Sequence, residues 1–344
     1  MIDPEQLSRL AQRLVGRCRD AELAAFALVA RRLAKRLDAD EWAAYQQLQA
    51  AGLSRDARRI VRALAEGRDA EVAALVTAAA GVGAREAALP LSDSAAAGSP
   101  PGALAALTRD LAGRLAAADL RILRATDDVF RQVIARVTAQ GLAGEYTRRQ
   151  AAQAALDLFS GRGITGFVDA SGRQWNLASY AEMACRTAAN GAARMGAIDR
   201  MRAAGHDLAL IGGSSSGCEL CAEWEGEVVS VDGLTPGYPT LDEAEGAGLF
   251  HPNCGHMAYP WVAGLTDAAG VAHSDPDVYE ARQQQRYLER GIRSWKMRSA
   301  VAMDDASAAA AQAKVREWQV RLREHVATNG LKRLSYREQI GKAI

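Results

Sequence analysis

Apolar residues recur along most of this chain at steps of three and four, the spacing that gathers side chains on one face of an α-helix. Asp3-Pro4 reads as an N-cap followed by proline at the first helical position, and Leu7, Leu10 and Leu14 follow in helical register. Asp20 is expected to open a second helix carrying Leu23, Phe26, Leu33 and Leu37. A third should run from about Asp40 through Trp42, Tyr45 and Leu48 to Gly52. Ser54 and Asp69 read as caps of two more helices, with Gly67 and Gly81 as stops. These stripes are packing surfaces rather than ligand boxes. The stretch "LPLSDSAAAGSPPGALAA" (89–106) breaks the pattern with Pro100-Pro101 and small polar residues, and reads as a linker. A long helix over about 104–140 follows, with Leu120, Leu123, Phe130 and Ile134 along it and Gly141 as its end. Another covers about 147–160.

The period then changes. "GITGFVDASGRQWNL" holds two short β-like runs around an Ala-Ser-Gly turn, a hairpin pattern. Ser179 is placed to cap a helix reaching about Gly205. "DLALIGG", "EGEVVSVDG" and "MAYPWV" read as strands, with "TLDEAEGAGL" a short helix among them. Beyond a loop containing Pro276, "YEARQQQRYLERGIRSWKMRSA" is helical, and Asp304 or Asp305 caps a final helix with Val315, Trp318, Leu322 and Val326. The tail after Gly330 is basic and stays unordered unless docked. The expected fold class is mainly α with a small α+β core domain. Its parts are a helical N-terminal region (1–88), a linker (89–103), long helices (104–160), an α+β domain (161–264) and a basic helical C-terminal region (265–344).

Composition narrows the picture. With 344 residues the chain can bury a real core, but alanine supplies much of the 49% hydrophobic content and aromatics only 6%. That favours long helices with thin side-chain packing. A net charge of +1 provides no whole-molecule field for a partner, so any electrostatic role is local. No run approaches the roughly 20 uninterrupted apolar residues of a membrane span, and "MIDPEQLSRLAQRL" lacks a secretory signal's apolar run. Five cysteines, three of them clustered, do not make a disulfide framework; a protein made in a reducing cytoplasm is the expectation.

The clustered cysteines lie in "CELC" (218–221) and "HPNCGH" (251–256). Zinc takes four tetrahedral thiolate or imidazole ligands, and two intervening residues let both ends of a C-x₂-C turn converge on one ion. Cys218 and Cys221 form one such pair, His251 and Cys254 a second, and His256 a fifth candidate, with Pro252 restricting the backbone at His251. A structural zinc site fits best because protein ligands can fill all four positions. A metal-free cluster of buried thiols, a catalytic zinc and a Cys218–Cys221 redox pair are the alternatives; the last lacks a surrounding βαβ pattern. Of the two histidines, His251 is the expected fourth ligand.

Other chemistry is thin. Phosphate-binding, dinucleotide-binding, zinc-protease and nucleophile-elbow motifs are all missing from the sequence. Glu182, Arg186 and Asp199 read as a solvated helix face. His206, His273 and His325 read as surface or capping residues, and Trp175, Trp224 and Trp261 as core of the α+β domain. Arg282, Arg286, Arg290 and Arg293 share one helix face beside Leu288, Ile292 and Trp295. They are candidates for contact with DNA phosphates or an acidic protein surface, or else a solvated face.

Taken together, "GITGFVDASGRQWNLASYAEMACRTAANGAARMGAIDRM", "CELCAEWEGEVVSVDG", "HPNCGH" and "YEARQQQRYLERGIRSWKMRSAVAMD" resemble the phage minor capsid protein 2 family, akin to Mu F-like head morphogenesis proteins. The resemblance covers about 160–344. Pairing C-x₂-C with W-E-G-x-V and H-P-N-C-x-H carries it. It implies a low-copy, non-enzymatic structural protein of a tailed phage or prophage-like particle. Such a protein would be oligomeric in the virion, at the portal vertex or head interior, after assembly in the host cytoplasm. Portal, capsid and scaffold proteins would be its partners, with packaged DNA a further candidate and no membrane. The carried-over zinc ligands are Cys218, Cys221, His251 and Cys254, with His256 as alternate. A metal-dependent nuclease or hydrolase using the same cluster is the competing function.

Overall fold

The computed structural model describes residues 4–91, 101–143, 146–162, 167–168, 174–214 and 217–342. The chain opens with three long helices, α1 (Pro4–Leu33), α2 (Trp42–Ala65) and α3 (Arg68–Leu91). Asp20, Gly52, Ser54 and Gly81 therefore do not punctuate the chain as expected. One internal glycine costs a helix about 1 kcal/mol, and burial of Leu14, Phe26, Leu33 and Leu53 outweighs it. Gly67 does act as a stop: it sits in the left-handed region at φ 67° between α2 and α3. The core of the expected linker, 92–100, lies outside the described residues. α4 (Pro101–Ala143) passes the expected stop at Gly141, and α5 (Arg148–Arg162) follows.

β1 (Phe167–Val168) and β2 (Gln174–Trp175) pair antiparallel, as the hairpin pattern predicts; the turn residues 169–173 lie outside the described set. α6 (Leu177–Ala203) is capped by Asn176, whose Oδ1 accepts from the Ser179 amide at 2.7 Å, not by Ser179 itself. β3 (Leu208–Gly212), β4 (Val228–Ser230) and β5 (Met257–Pro260) form an antiparallel sheet in the order β4-β3-β5. Two short helices interrupt it, α7 (Glu219–Ala222) and α8 (Leu241–Gly246), the latter opened by a Thr240–Glu243 capping box. α9 (Pro276–Ala300) starts on a proline, and α10 (Asp305–Thr328) is capped by Asp304.

The chain gathers into two compact units, each drawn from three separated stretches: 1–14, 67–114 and 182–283 in one, and 15–66, 115–181 and 284–344 in the other. In the first, α3 crosses α6 at a pair of glycines. A Cβ on Gly83 would lie 1.7 Å from the Ala193 carbonyl oxygen, and one on Gly196 would lie 2.0 Å from that of Ala80. Only glycine permits backbones this close. A window within Trp42–Leu89 is long and apolar enough to cross a membrane by length and composition alone; within it Val76, Ala79 and Ala80 are buried in the fold. The sheet of this unit packs Ile211, Val229 and Ala258 against Met201 and Ile198 of α6, with Leu241, Leu249 and Phe250 closing the cluster.

In the second unit Leu288 and Ile292 of α9 meet Leu322 and Val326 of α10, flanked by Val315, Trp318 and Leu331. Gly291 makes room for the Trp318 ring, which a Cβ would meet at 2.0 Å. The tail is docked: Arg333 grips Glu338 through two bonds of 2.6 Å, and the Lys342 amide donates to Asp20.

Candidate metal centre

The first knuckle hangs between β3 and β4. Cys218 is the N-cap of α7, and the Cys221 amide donates back to the Cys218 carbonyl at 3.1 Å, a turn that brings both sulfurs to one side. The Gly226 amide bonds to Ile211 at 2.9 Å with φ 86°, returning the chain to the sheet. Cys221 is fully buried and Cys218 half-buried.

The second knuckle precedes β5 and is shaped by two left-handed residues, Phe250 at φ 62° and Asn253 at φ 75°. Asparagine tolerates that conformation; a phenylalanine there costs about 1–2 kcal/mol and must be held. The Arg194 guanidinium lies 4.2 Å over its ring. α6 supplies the remaining support from one face: Thr187 Oγ1 accepts from the Asn253 amide at 3.0 Å, and Asn190 Nδ2 donates to the Cys254 carbonyl at 2.6 Å. Thr187, Asn190 and Arg194 stand at helical steps of three and four.

The knuckles converge as two triads that share Cys221. In Cys218–Cys221–His251 and in Cys221–Cys254–His256, the donor atoms all lie within 4.8 Å of one another. Cys221 and Cys254 sulfurs are 3.6 Å apart, close to the ~3.8 Å edge of a tetrahedron with metal–sulfur bonds of ~2.3 Å. His251 Nε2 is 2.8 Å from Cys218 Sγ, and its Nδ1 is 2.9 Å from the Pro252 carbonyl. A carbonyl only accepts, so the proton sits on Nδ1 and the Nε2 lone pair faces the sulfurs, the arrangement a ligating histidine adopts. The thiols share charge unequally. The bond from Cys221, with further help from His256, draws Cys254 down to about 4, while the same bond and burial push Cys221 up. A thiolate within this cluster is what a cation requires.

Behind the second triad stands Glu225, a residue whose role the sequence reading missed. Its side chain is wholly buried and accepts from His256 Nε2 at 2.6 Å, Ser274 Oγ at 2.6 Å, the Ser274 amide at 2.6 Å and the Ser214 amide at 3.3 Å. Burial alone would raise its carboxyl, but these donors outweigh it and hold it below the usual carboxylate range. Burial would likewise depress His256, yet its bonds to Cys254 and Glu225 hold it above the ordinary histidine value. The only sequence signal was the glutamate of W-E-G-x-V.

The chain matches the family described as Phage minor capsid protein 2 over residues 2–327. It belongs to that family. Among curated proteins, it is 27% identical over 216 residues to a structural protein of Lactococcus phage LL-H, covering 58% of each chain. It is 33% identical over 117 residues to a structural protein of Lactococcus phage mv4, covering 31% of this chain and 95% of that one. The chain thus spans 58% of the length of the LL-H protein. No solved structure matches it.

Within this family member the other sequence candidates fall apart as a group. Arg290 is exposed, Arg282 and Arg286 are half-buried, and Arg293 is buried, donating to the Arg337 carbonyl and to Ser179 Oγ at 3.2 Å. Glu182 and Arg186 pair at 3.6 Å, both largely covered, and Asp199 is buried beside Arg202 rather than solvated. His206 bonds the Trp261 carbonyl at 2.8 Å, His325 sits in the last turn of α10, and His273 is exposed 3.9 Å from Glu225. Trp175, Trp224 and Trp261 are only half-buried, not the core the sequence suggests. Small side chains such as Ala209, Val229 and Ala258 fill the sheet's core, with Trp224 only partly buried against it.

Proposed function

We propose that this chain is a minor structural protein of the head of a tailed phage or prophage-like particle. It would sit at the portal vertex, act in head assembly or DNA delivery, and catalyse nothing. The observation that supports this reading is the convergence of two donor triads on Cys221, their thiols and imidazoles backed by Glu225, Thr187 and Asn190. A filled set of protein ligands favours a structural metal over a catalytic one, which keeps a position open.

The residues fit zinc by donor chemistry and by the 3.6 Å Cys221–Cys254 separation. Cys218, Cys221, His251 and Cys254 would hold it, with His256 as the alternate. Zinc would supply a cross-link between two loops and neutralise their thiolate charge. Residues 161–264 would be the Mu F-like domain, flanked by helical regions. Portal, capsid and scaffold proteins would be its neighbours. The α9 face bearing Arg282, Arg286 and Arg290 would meet packaged DNA or an acidic portal surface, whereas Arg293 is committed inside the protein.

The names of the LL-H and mv4 relatives, both structural proteins of phages, support the virion reading. Mass spectrometry of purified particles tests it: the chain should be present at a few copies per particle. Its absence from intact virions would sink the proposal. Elemental analysis should find about one zinc per chain, and turnover lost in Cys254→Ser without unfolding would point instead to an enzyme.

A further inference from the structure

Glu225 is more than a satisfied buried acid. It joins two things that the sequence keeps 18 residues apart, His256 of the metal cluster and Ser274, just ahead of α9. Between β5 and α9 the chain has no regular secondary structure, and Ser274 is held through both its amide and its hydroxyl, each at 2.6 Å from the same carboxylate. The junction is sterically closed: a Cβ on Gly217 would lie 2.2 Å from Ser274 Oγ, 2.7 Å from Glu225 Oε1 and 3.0 Å from His256 Cε1. Gly213 packs as tightly, with a Cβ there 1.8 Å from the Ala272 carbonyl oxygen. The strap 271–275 is thus laid directly over the first knuckle. Asp275, its last residue, accepts from the Asp277 amide at 2.9 Å in the first turn of α9.

We propose that Glu225 is the positioning residue of the metal centre. It fixes the His256 ring against Cys254 and clamps Ser274, so that metal occupancy and docking of the strap ahead of α9 stabilise each other. This rests on the metal reading of the cluster. The physical reason is shared geometry: one rigid carboxylate cannot satisfy Ser274 in a second position without releasing His256. A ligand that orders one side must therefore order the other, and the coupling is reciprocal.

Zinc affinity by chelator competition, the Co(II) charge-transfer spectrum, and hydrogen exchange at 271–275 with and without zinc test the proposal on the full chain. In the wild type, zinc should slow exchange of the Ser274 amide by roughly 5- to 150-fold, the usual range of site coupling. Glu225→Gln keeps the shape but sets an amide NH₂ against one of the donors. It should weaken zinc binding by roughly 10- to 100-fold, as loss of an outer-shell partner does, and make Ser274 exchange fast whether or not zinc is present. Glu227→Gln, at an exposed position two residues on, should change neither. Ser274→Ala, which keeps the Glu225–His256 bond, provides the check where Glu225→Gln does not fold. It should speed strap exchange and weaken zinc binding by a smaller factor. Zinc affinity in Glu225→Gln within twofold of wild type, or wild-type Ser274 exchange indifferent to zinc, would overturn the coupling alone. A wild-type protein that takes up neither Zn(II) nor Co(II) would overturn the metal reading itself, and this inference with it.

Discussion

Between Leu208 and Pro260 the described residues make three short strands and two helices of four and six residues, with Cys221, Cys254, His256 and Glu225 buried among them. Between Pro276 and Thr328 it makes two helices of 25 and 24 residues whose Leu288, Ile292, Leu322 and Val326 interlock. The helical pair closes its core with aliphatic side chains and an indole seated on Gly291. The loop-rich stretch buries two thiols, an imidazole and a carboxylate in a row of contacts, Cys221–Cys254–His256–Glu225. Long elements bury enough apolar area to hold themselves in place, whereas short elements need cross-links, and here polar donors occupy the positions where cross-links would form.

The largest break of this contrast should come from Cys221→Ala. Removing a buried donor shared by both triads should cost at least about 4 kcal/mol in chemical denaturation if metal loss follows. Chelation of the unmutated protein should loosen 212–262 first by hydrogen exchange while 276–328 stays protected. Leu322→Ala should cost about 3 kcal/mol by the cavity it leaves, with metal content unchanged. A mutant that loses zinc through Leu322, or keeps full stability without Cys221, would erase the distinction.

Acid should separate the two modes by sign. Thiolate and imidazole ligands take up protons as pH falls, so loops held by a bound metal would weaken in acid. Glu22, buried in the other unit, behaves oppositely. Burial, only partly offset by Arg293 and the α6 amides, raises its carboxyl to about 7. The folded state then binds a proton that the unfolded state has released, so this contribution is full below about pH 4.5 and is lost as pH rises through about 7. The loss amounts to roughly 3 kcal/mol, and Glu22→Gln should remove it, as denaturation series at pH 5 and pH 8 would read.

The smallest effects concern glycine and should differ in sign. Gly83→Ala forces a methyl into the Ala193 backbone and should destabilise by about 2 kcal/mol despite better helix propensity. Gly16→Ala, with nothing within 4 Å of the new methyl, should stabilise by about 0.5–1 kcal/mol. Melting curves of the two variants check both.

The helical runs, the hairpin around 167–175 and the three strands were legible, because each is written in local spacing of two, three or four residues. Helix ends were less so. Gly52, Gly81 and Gly141 look like stops in isolation, yet the helices run through them, and at Gly83 and Gly196 the missing Cβ serves a neighbour rather than a turn. Nor could spacing distinguish Arg290 from Arg293, which share a helix face in sequence but differ in burial.

By itself, then, the sequence determined a mainly helical chain, a small α+β region within it, and the two short stretches that hold the clustered thiols and imidazoles. Only the tertiary structure decided that their donors regroup as two triads around Cys221, that Thr187, Asn190 and Arg194 brace the second stretch, and that Glu225 binds His256 to Ser274. Local spacing encodes what a residue's own turn or strand will do. A buried carboxylate acquires its role from partners 11, 31 and 49 residues away, and only folding brings them within hydrogen-bond reach.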